Sequence, residues 1–113
     1  MIGVGERADG DPAIVRLAGE QDVGTRDDVR FAFQRVRDNP RVIVDLTKLR
    51  YIDSTVISEL MRAESRTSAN DGKLVIVARN QRILRVLSIA GITARTPILD
   101  TLDSAMKALR PPH

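Results

Sequence analysis

The feature that most constrains this chain is an apolar run that hands over to hydroxyl side chains and then to a helix. Arg41-Val42-Ile43-Val44-Asp45-Leu46 is rich in β-branched residues and reads as a buried strand. Its near-continuous apolar character suits a central parallel strand, and Asp45 within it needs a partner or water if buried. Tyr51-Ile52-Asp53-Ser54-Thr55 follows, and an amphipathic helix then runs towards Asn70. Along that helix Val56, Leu60, Ala63 and Thr67 form one stripe, and Ile57, Met61 and Glu64 the neighbouring one. Asp53, Ser54 and Thr55 therefore sit where a strand passes to a helix N-terminus. In open α/β sheets ligands bind at that end of a strand. The unpaired N–H groups and positive dipole end of the helix favour negative charge there. Two roles remain open for these residues. Asp, Ser and Thr are favoured helix caps, worth ~1 kcal/mol, and a hydroxyl at this place is also suited to carrying a phosphate.

The same alternation extends in both directions. Residues 1–12 hold three glycines and allow a short edge strand, closed by a turn at Gly10-Asp11-Pro12. Ala13-Ile14-Val15-Arg16-Leu17-Ala18-Gly19 reads as a strand ended by Glu20-Gln21-Asp22. Thr25-Arg26-Asp27-Asp28 has the form of a capping box with Asp in place of Glu. The helix it starts puts Val29, Ala32, Phe33 and Val36 on one stripe, with Phe31 off it, and stops at Asp38-Asn39-Pro40. Asn70-Asp71-Gly72 signals a left-handed turn, and Lys73-Leu74-Val75-Ile76-Val77-Ala78 is a second buried strand. Gln81 to Ala90 is helical, with Ile83, Val86, Leu87 and Ala90 facing the core and Gly91 as its cap. Thr96-Pro97-Ile98-Leu99 is a short strand with proline at its start, suited to an edge. Asp100 or Thr101 caps a last helix with the stripe Leu102, Ala105, Met106 and Leu109, closed by Pro111-Pro112. The expected order is β-β-α-β-α-β-α-β-α. It predicts a mixed, mostly parallel α/β sheet of four to five strands with about four helices mainly on one face. Val44, Leu46, Val75 and Val77 are expected at its centre, and the first strand is expected to be antiparallel.

Several chemistries are disfavoured. Cysteine is absent, which leaves no thiol nucleophile and no cysteine metal site, and the one histidine, His113, follows Pro111-Pro112, a placement that disfavours a histidine-based triad or metal site. Neither a GxSxG elbow nor a GxxxxGK[ST] loop occurs. A Mg²⁺ site on Asp45 and Asp53 would need further acids at another strand end, where Asp100 is the sole candidate. Residues 1–40 carry 6 basic and 8 acidic side chains, and residues 41–113 carry 12 and 7. The basic excess is scattered and aromatics are 3% of the chain, so no base-stacking platform for nucleic acid is expected. No apolar run approaches the ~18 residues of a membrane span, and no leader is evident. We expect one domain over residues 1–113, with its core at about 13–109, located in the cytoplasm.

Residues 13–109 resemble the STAS domain, the fold shared by sulphate-transporter tails and anti-sigma factor antagonists. The resemblance rests on Ile14-Val15-Arg16-Leu17-Ala18-Gly19-Glu20-Gln21-Asp22, Val42-Ile43-Val44-Asp45-Leu46 and Tyr51-Ile52-Asp53-Ser54-Thr55. It continues through Gly72-Lys73-Leu74-Val75-Ile76-Val77 and Leu87-Ser88-Ile89-Ala90-Gly91-Ile92. The acceptor motif in antagonists of this family looks like Asp-Ser-Ser/Thr-Gly-Leu-Gly. Here Asp53, Ser54 and Thr55 match it, and Val56, Ile57 and Ser58 stand where Gly-Leu-Gly is usual. The resemblance implies that Ser54 is phosphorylated and that Asp53 and Thr55 flank it. It implies that Val56 and Ser58 add side chains at the surface a kinase approaches.

By the same resemblance the chain is an anti-sigma factor antagonist and not an enzyme, with no catalytic residues, cofactor or metal. Its implied partners are an anti-sigma factor, typically a GHKL-type serine kinase, and a PP2C-type phosphatase. It is expected to be a monomer or weak homodimer that neither binds nucleic acid nor inserts in a membrane. Partner contact is expected around Val56, Ile57, Ser58 and Met61. Along the same helix the stripe of Val56, Leu60 and Ala63 is expected to face inward, and Ile57 and Met61 to lie on the flank, with Ser58 and Arg62 towards solvent. The alternative is a non-switching STAS subunit of a stressosome-like assembly or of a lipid-transport ATPase complex.

Overall fold

The computed structural model describes residues 2–5, 12–19 and 26–109, with side-chain detail from Pro12 to Gly19 and from Asp27 to Leu109. Among these, five strands and four α-helices alternate: β1 (Ile2–Gly5), β2 (Ala13–Gly19), α1 (Arg26–Arg35), β3 (Arg41–Leu49), α2 (Ser54–Ala69), β4 (Lys73–Val77), α3 (Gln81–Ile89), β5 (Ile98–Leu99) and α4 (Leu102–Ala108), with a 3₁₀ turn at Ile92–Ala94. The turn at Gly10-Asp11, the strand end at Glu20-Gln21-Asp22, the Thr25 end of the capping box, Pro111-Pro112 and His113 lie outside the described residues.

The strands lie in sequence order, β1-β2-β3-β4-β5. β1 is antiparallel to β2, and every other pairing is parallel. This order dictates where the helices go. Each of β2-α1-β3, β3-α2-β4 and β4-α3-β5 steps one strand in the same direction. Crossovers of one hand in one direction put their helices on one face. The helix α4 follows the last strand and crosses over to nothing, so it is free to cover the other face.

Two cores result, divided by the two-residue period of the strands. On the three-helix face, Val15, Leu17, Val44, Leu46, Leu74 and Ile76 pack with Phe33 of α1, Leu60 of α2, and Ile83 and Leu87 of α3. On the other face Ile14, Ile43, Val75 and Val77 pack with Ala105 and Leu109 of α4. Val44 and Leu46 thus lie under three helices and Val75 and Val77 under one, although all four are fully buried. Arg41 Nη1 donates to the Leu109 carbonyl at 3.1 Å, which fastens the end of α4 beside β3.

The strand β3 runs three residues beyond the apolar run, because Ala18 and Gly19 of β2 pair with Lys48 and Leu49. The register shifts after the pair Arg16↔Asp45, so β3 carries one residue more than β2 across the same span. Asp45 is 9% exposed, and its partners hold that irregularity in place. It accepts from Thr47 N at 2.9 Å and Thr47 Oγ1 at 2.7 Å, and it pairs with Arg16 Nε at 3.7 Å.

At the opposite end of the sheet, the left-handed residue of the Asn70-Asp71-Gly72 turn is Asp71 (φ 58°) and not the glycine. Gly72 answers a different need. It lies against the backbone of Pro40, whose carbonyl accepts Lys73 N at 2.6 Å where β3 and β4 start side by side.

Candidate functional site

The end of β3 is tied to its neighbour by Arg50 N donating to the Gly19 carbonyl at 3.0 Å. Tyr51 is exposed, and Ile52 is half-buried against the main core. The apolar anchor at Ile52 sets the direction in which the chain enters α2. Asp53 then takes an extended conformation as the N-cap, and its Oδ1 accepts from Val56 N at 2.9 Å. Its carbonyl accepts from Ile57 N at 3.1 Å and closes the first helical turn. The capping role available to three residues therefore falls to Asp53 alone.

Ser54 is left as the first helical residue, exposed, and its hydroxyl makes no hydrogen bond with any described residue. Thr55 beside it is half-buried. The first turn of α2 contains no acidic side chain beyond the capping carboxylate of Asp53, which takes up one of the free N–H groups of that positive end. A negative charge added at Ser54 would meet that end directly.

The residues that follow separate by depth. Val56 is 0% exposed and sits in the main core, so its side chain cannot belong to a docking surface and adds no bulk near Ser54. Sequence reasoning grouped it with the surface because the family's glycines occupy that place, but the helix phase turns it inward. Ile57 is half-buried and packs on the main core, Ser58 is exposed, and Met61 is 49% exposed. Leu60, Ala63 and Thr67 are buried, and Thr67 Oγ1 is satisfied by the carbonyls of Ala63 and Glu64, each at 3.0 Å.

Three residues to which the sequence reading gave no role complete the site. Glu59 is buried on the inward side of α2, and its Oε1 lies 3.5 Å from both Arg30 Nε of α1 and Arg62 Nη1 of α2. Arg30, Glu59 and Arg62 line a shallow cavity of about 190 Å³ together with Ser54, Thr55 and Ser58. The spacing did contain a signal for Glu59, which stands three residues after Val56 on the same helical stripe. Nothing in the spacing could point to Arg30, because α1 meets α2 only in the folded chain. Among the described residues no three His, Asp or Glu side chains gather as a metal site would require. No helix there is long and apolar enough to cross a membrane.

Comparison with known proteins adds to this geometry. The STAS domain family profile matches residues 6–105. The anti-sigma F factor antagonist of Paenibacillus polymyxa is 29% identical over 100 residues, which cover 85% of this chain and 85% of the relative. Among solved structures, an anti-sigma factor antagonist from Mycobacterium paratuberculosis superposes with a TM-score of 0.85 at 26% identity, covering 98% of this chain and 94% of the other. The anti-sigma factor antagonist SpoIIAA in its unphosphorylated form superposes with a TM-score of 0.81 over 97% of this chain and 96% of its own, with the fold alone shared at 16% identity.

Proposed function

This chain belongs to the STAS domain family, and on that premise we propose that it is an anti-sigma factor antagonist switched by phosphorylation of Ser54. In this reading the unmodified protein binds an anti-sigma factor that is itself a GHKL-type serine kinase, and so releases a sigma factor. The chain is the substrate of that kinase and not a catalyst. The observation that carries the reading is the exposed, unbonded hydroxyl of Ser54 on the first turn of α2, directly after the capping carboxylate of Asp53.

The transfer is a displacement at phosphorus. Ser54 Oγ loses its proton to the kinase and bonds to the γ-phosphorus of ATP. The bond from that phosphorus to the β,γ-bridging oxygen breaks, and ADP leaves. A PP2C-type phosphatase reverses the state: water adds to phosphorus, the bond to Oγ breaks, inorganic phosphate departs and Oγ regains a proton. The phosphate brings ~−1.5 to −2 charges at neutral pH. The helix end tolerates that charge, whereas an acidic or apolar partner surface pressed against it does not.

The surface around the acceptor supports docking as well as modification. Met61 is exposed, Ile57 one turn before it on α2 is half-buried, and Ser58 is exposed on the same helix. An apolar contact supplies affinity, and the adjacent phosphate controls it.

Incubation with a GHKL-type kinase and ATP, followed by site mapping by mass spectrometry, is expected to find one phosphate, on Ser54. Ser54→Ala should abolish it and keep the partner bound in the presence of ATP, while Thr55→Ala should retain transfer. Ser54→Asp should weaken partner binding about tenfold or more, a loss of ~1.4 kcal/mol. Phosphate on Thr55 or Ser58 would show that the acceptor is misplaced. Stable co-purification with a transporter ATPase and no phosphorylation would favour the non-switching subunit instead.

Met61→Lys provides a separate check on the docking surface. The side chain is half in solvent, so the melting temperature should scarcely change. Partner affinity should fall about tenfold, as when one apolar anchor of an interface is lost. Unchanged affinity would remove Met61 from the interface.

A further inference from the structure

We propose that Arg30 and Arg62 form a built-in receiver for the phosphate on Ser54, taking it in exchange for Glu59. The proposal rests on the reading of Ser54 as the modified residue. It starts from three features of the cavity beside that residue.

The first is position. Ser54, Ser58 and Arg62 are spaced at i, i+4 and i+8 and share one face of α2, whose side chains lean back towards the N-terminus. Arg30 reaches the same cavity from α1, so Ser54 and both arginines line one space.

The second is that the guanidinium groups are placed but not used up. Each approaches Glu59 Oε1 at 3.5 Å, longer than the ~2.7–2.9 Å of a strong charged hydrogen bond. Neither makes another hydrogen bond with a described residue. Each guanidinium carries five N–H donors, and one shared carboxylate oxygen cannot satisfy both sets.

The third is charge. Two arginines and one carboxylate leave the cluster positive, and the carboxylate is the buried member: its side chain is 8% exposed, against 45% for Arg30 and 67% for Arg62. Glu59 therefore works as an inner anchor that holds two cations facing the solvent side. A phosphate dianion on Ser54 brings three acceptor oxygens to those donors and fits planar guanidinium groups better than a single distant oxygen does. The phosphate would then link α1 to α2 and cover the positive patch that the unmodified protein presents.

The test supplies the phosphate without a kinase. Phosphoserine is incorporated at position 54 of the full chain during translation, and its second ionisation is followed by ³¹P NMR against pH. The reference is a phosphoserine peptide spanning residues 51–58. Cations favour the dianion, so the midpoint in the protein should lie about one pH unit below that of the peptide. Part of any such change belongs to the helix dipole, and the variants separate the two. Arg30→Gln and Arg62→Gln should each move the midpoint back towards the peptide, whereas a dipole effect alone would persist in both. Glu59→Gln removes the competing carboxylate and should move it further down. The charged groups around the phosphate are Arg30 from α1, Glu59 and Arg62 from α2, and Asp53 next in the chain.

Circular dichroism of each variant guards against unfolding, and the more exposed Arg62 is the safer of the two arginine positions. A midpoint equal to that of the peptide, or one that neither arginine variant moves, would overturn the receiver. The outcome is distinguishable from that of the switch. Modification of Ser54 by a kinase with an unmoved midpoint keeps the switch and loses the receiver. A lowered, arginine-dependent midpoint in a chain that no kinase modifies does the reverse.

Discussion

Gly72→Ala is expected to lower the stability of this chain by about 3 kcal/mol, although it adds one methyl group. An ideal Cβ on Gly72 would lie well inside the van der Waals contact of the Pro40 carbonyl oxygen, and 2.9 Å from its carbonyl carbon. Both obstacles are backbone, so no side-chain rotation relieves them. The same carbonyl accepts Lys73 N, and Gly72 N donates to the Thr67 carbonyl at 2.7 Å. Moving Pro40 away would loosen the start of the β3–β4 ladder, and moving Gly72 away would loosen the end of α2. The expected fall in melting temperature is on the order of 10 °C. Urea denaturation followed by circular dichroism checks it. A loss below about 1 kcal/mol would mean that the turn relaxes at little cost.

Val56→Gly is expected to cost a similar amount, and its sign is informative. Glycine is usual at this place in antagonists that resemble this chain, and restoring it would be welcome if Val56 crowded the acceptor surface. The side chain is instead fully buried against the main core. Its removal forfeits roughly 1.5–3 kcal/mol of burial, and glycine in a helix adds up to about 1 kcal/mol. A total near 3 kcal/mol is therefore expected, with Val56→Ala retaining most of the loss and separating side chain from backbone. Equilibrium denaturation measures this. Phosphorylation of Ser54 under conditions where both proteins are folded should proceed at nearly the same rate, because the surface is unchanged. A variant that keeps wild-type stability but is phosphorylated much faster would return Val56 to the surface.

Both substitutions concern places where local pattern and tertiary setting diverge. The sequence made Asn70-Asp71-Gly72 legible as a left-handed turn, yet the positive φ belongs to Asp71 and the glycine is required by Pro40. Those residues are thirty-two positions apart, and only the pairing of Arg41 with Lys73 brings them together. Likewise the stripe of Val56, Leu60 and Ala63 was readable as inward-facing, but the family motif pulled Val56 towards the surface. The burial settles its place in the core.

What the sequence by itself determined is the alternation of elements, their polarity and most of their ends. Strand and helix differ in the period of their apolar residues, and caps such as Asp53 and Thr101 act within three residues of where they stand. Those are local properties, so they can be read locally. It also placed Asp53-Ser54-Thr55 at the strand-to-helix junction. Only the tertiary structure decided which face each buried strand residue serves. A two-residue period says that Val44 and Ile43 point opposite ways, but not which of them lies under three helices. The parallel register, Val44 opposite Ile76, sets Val75 and Val77 on the α4 side. It also decided that a glutamate on the inward stripe of α2 would meet an arginine from α1 beside Ser54. That contact spans two helices and the strand between them. No spacing within one element encodes it, because its geometry exists only once both helices have packed on the same sheet.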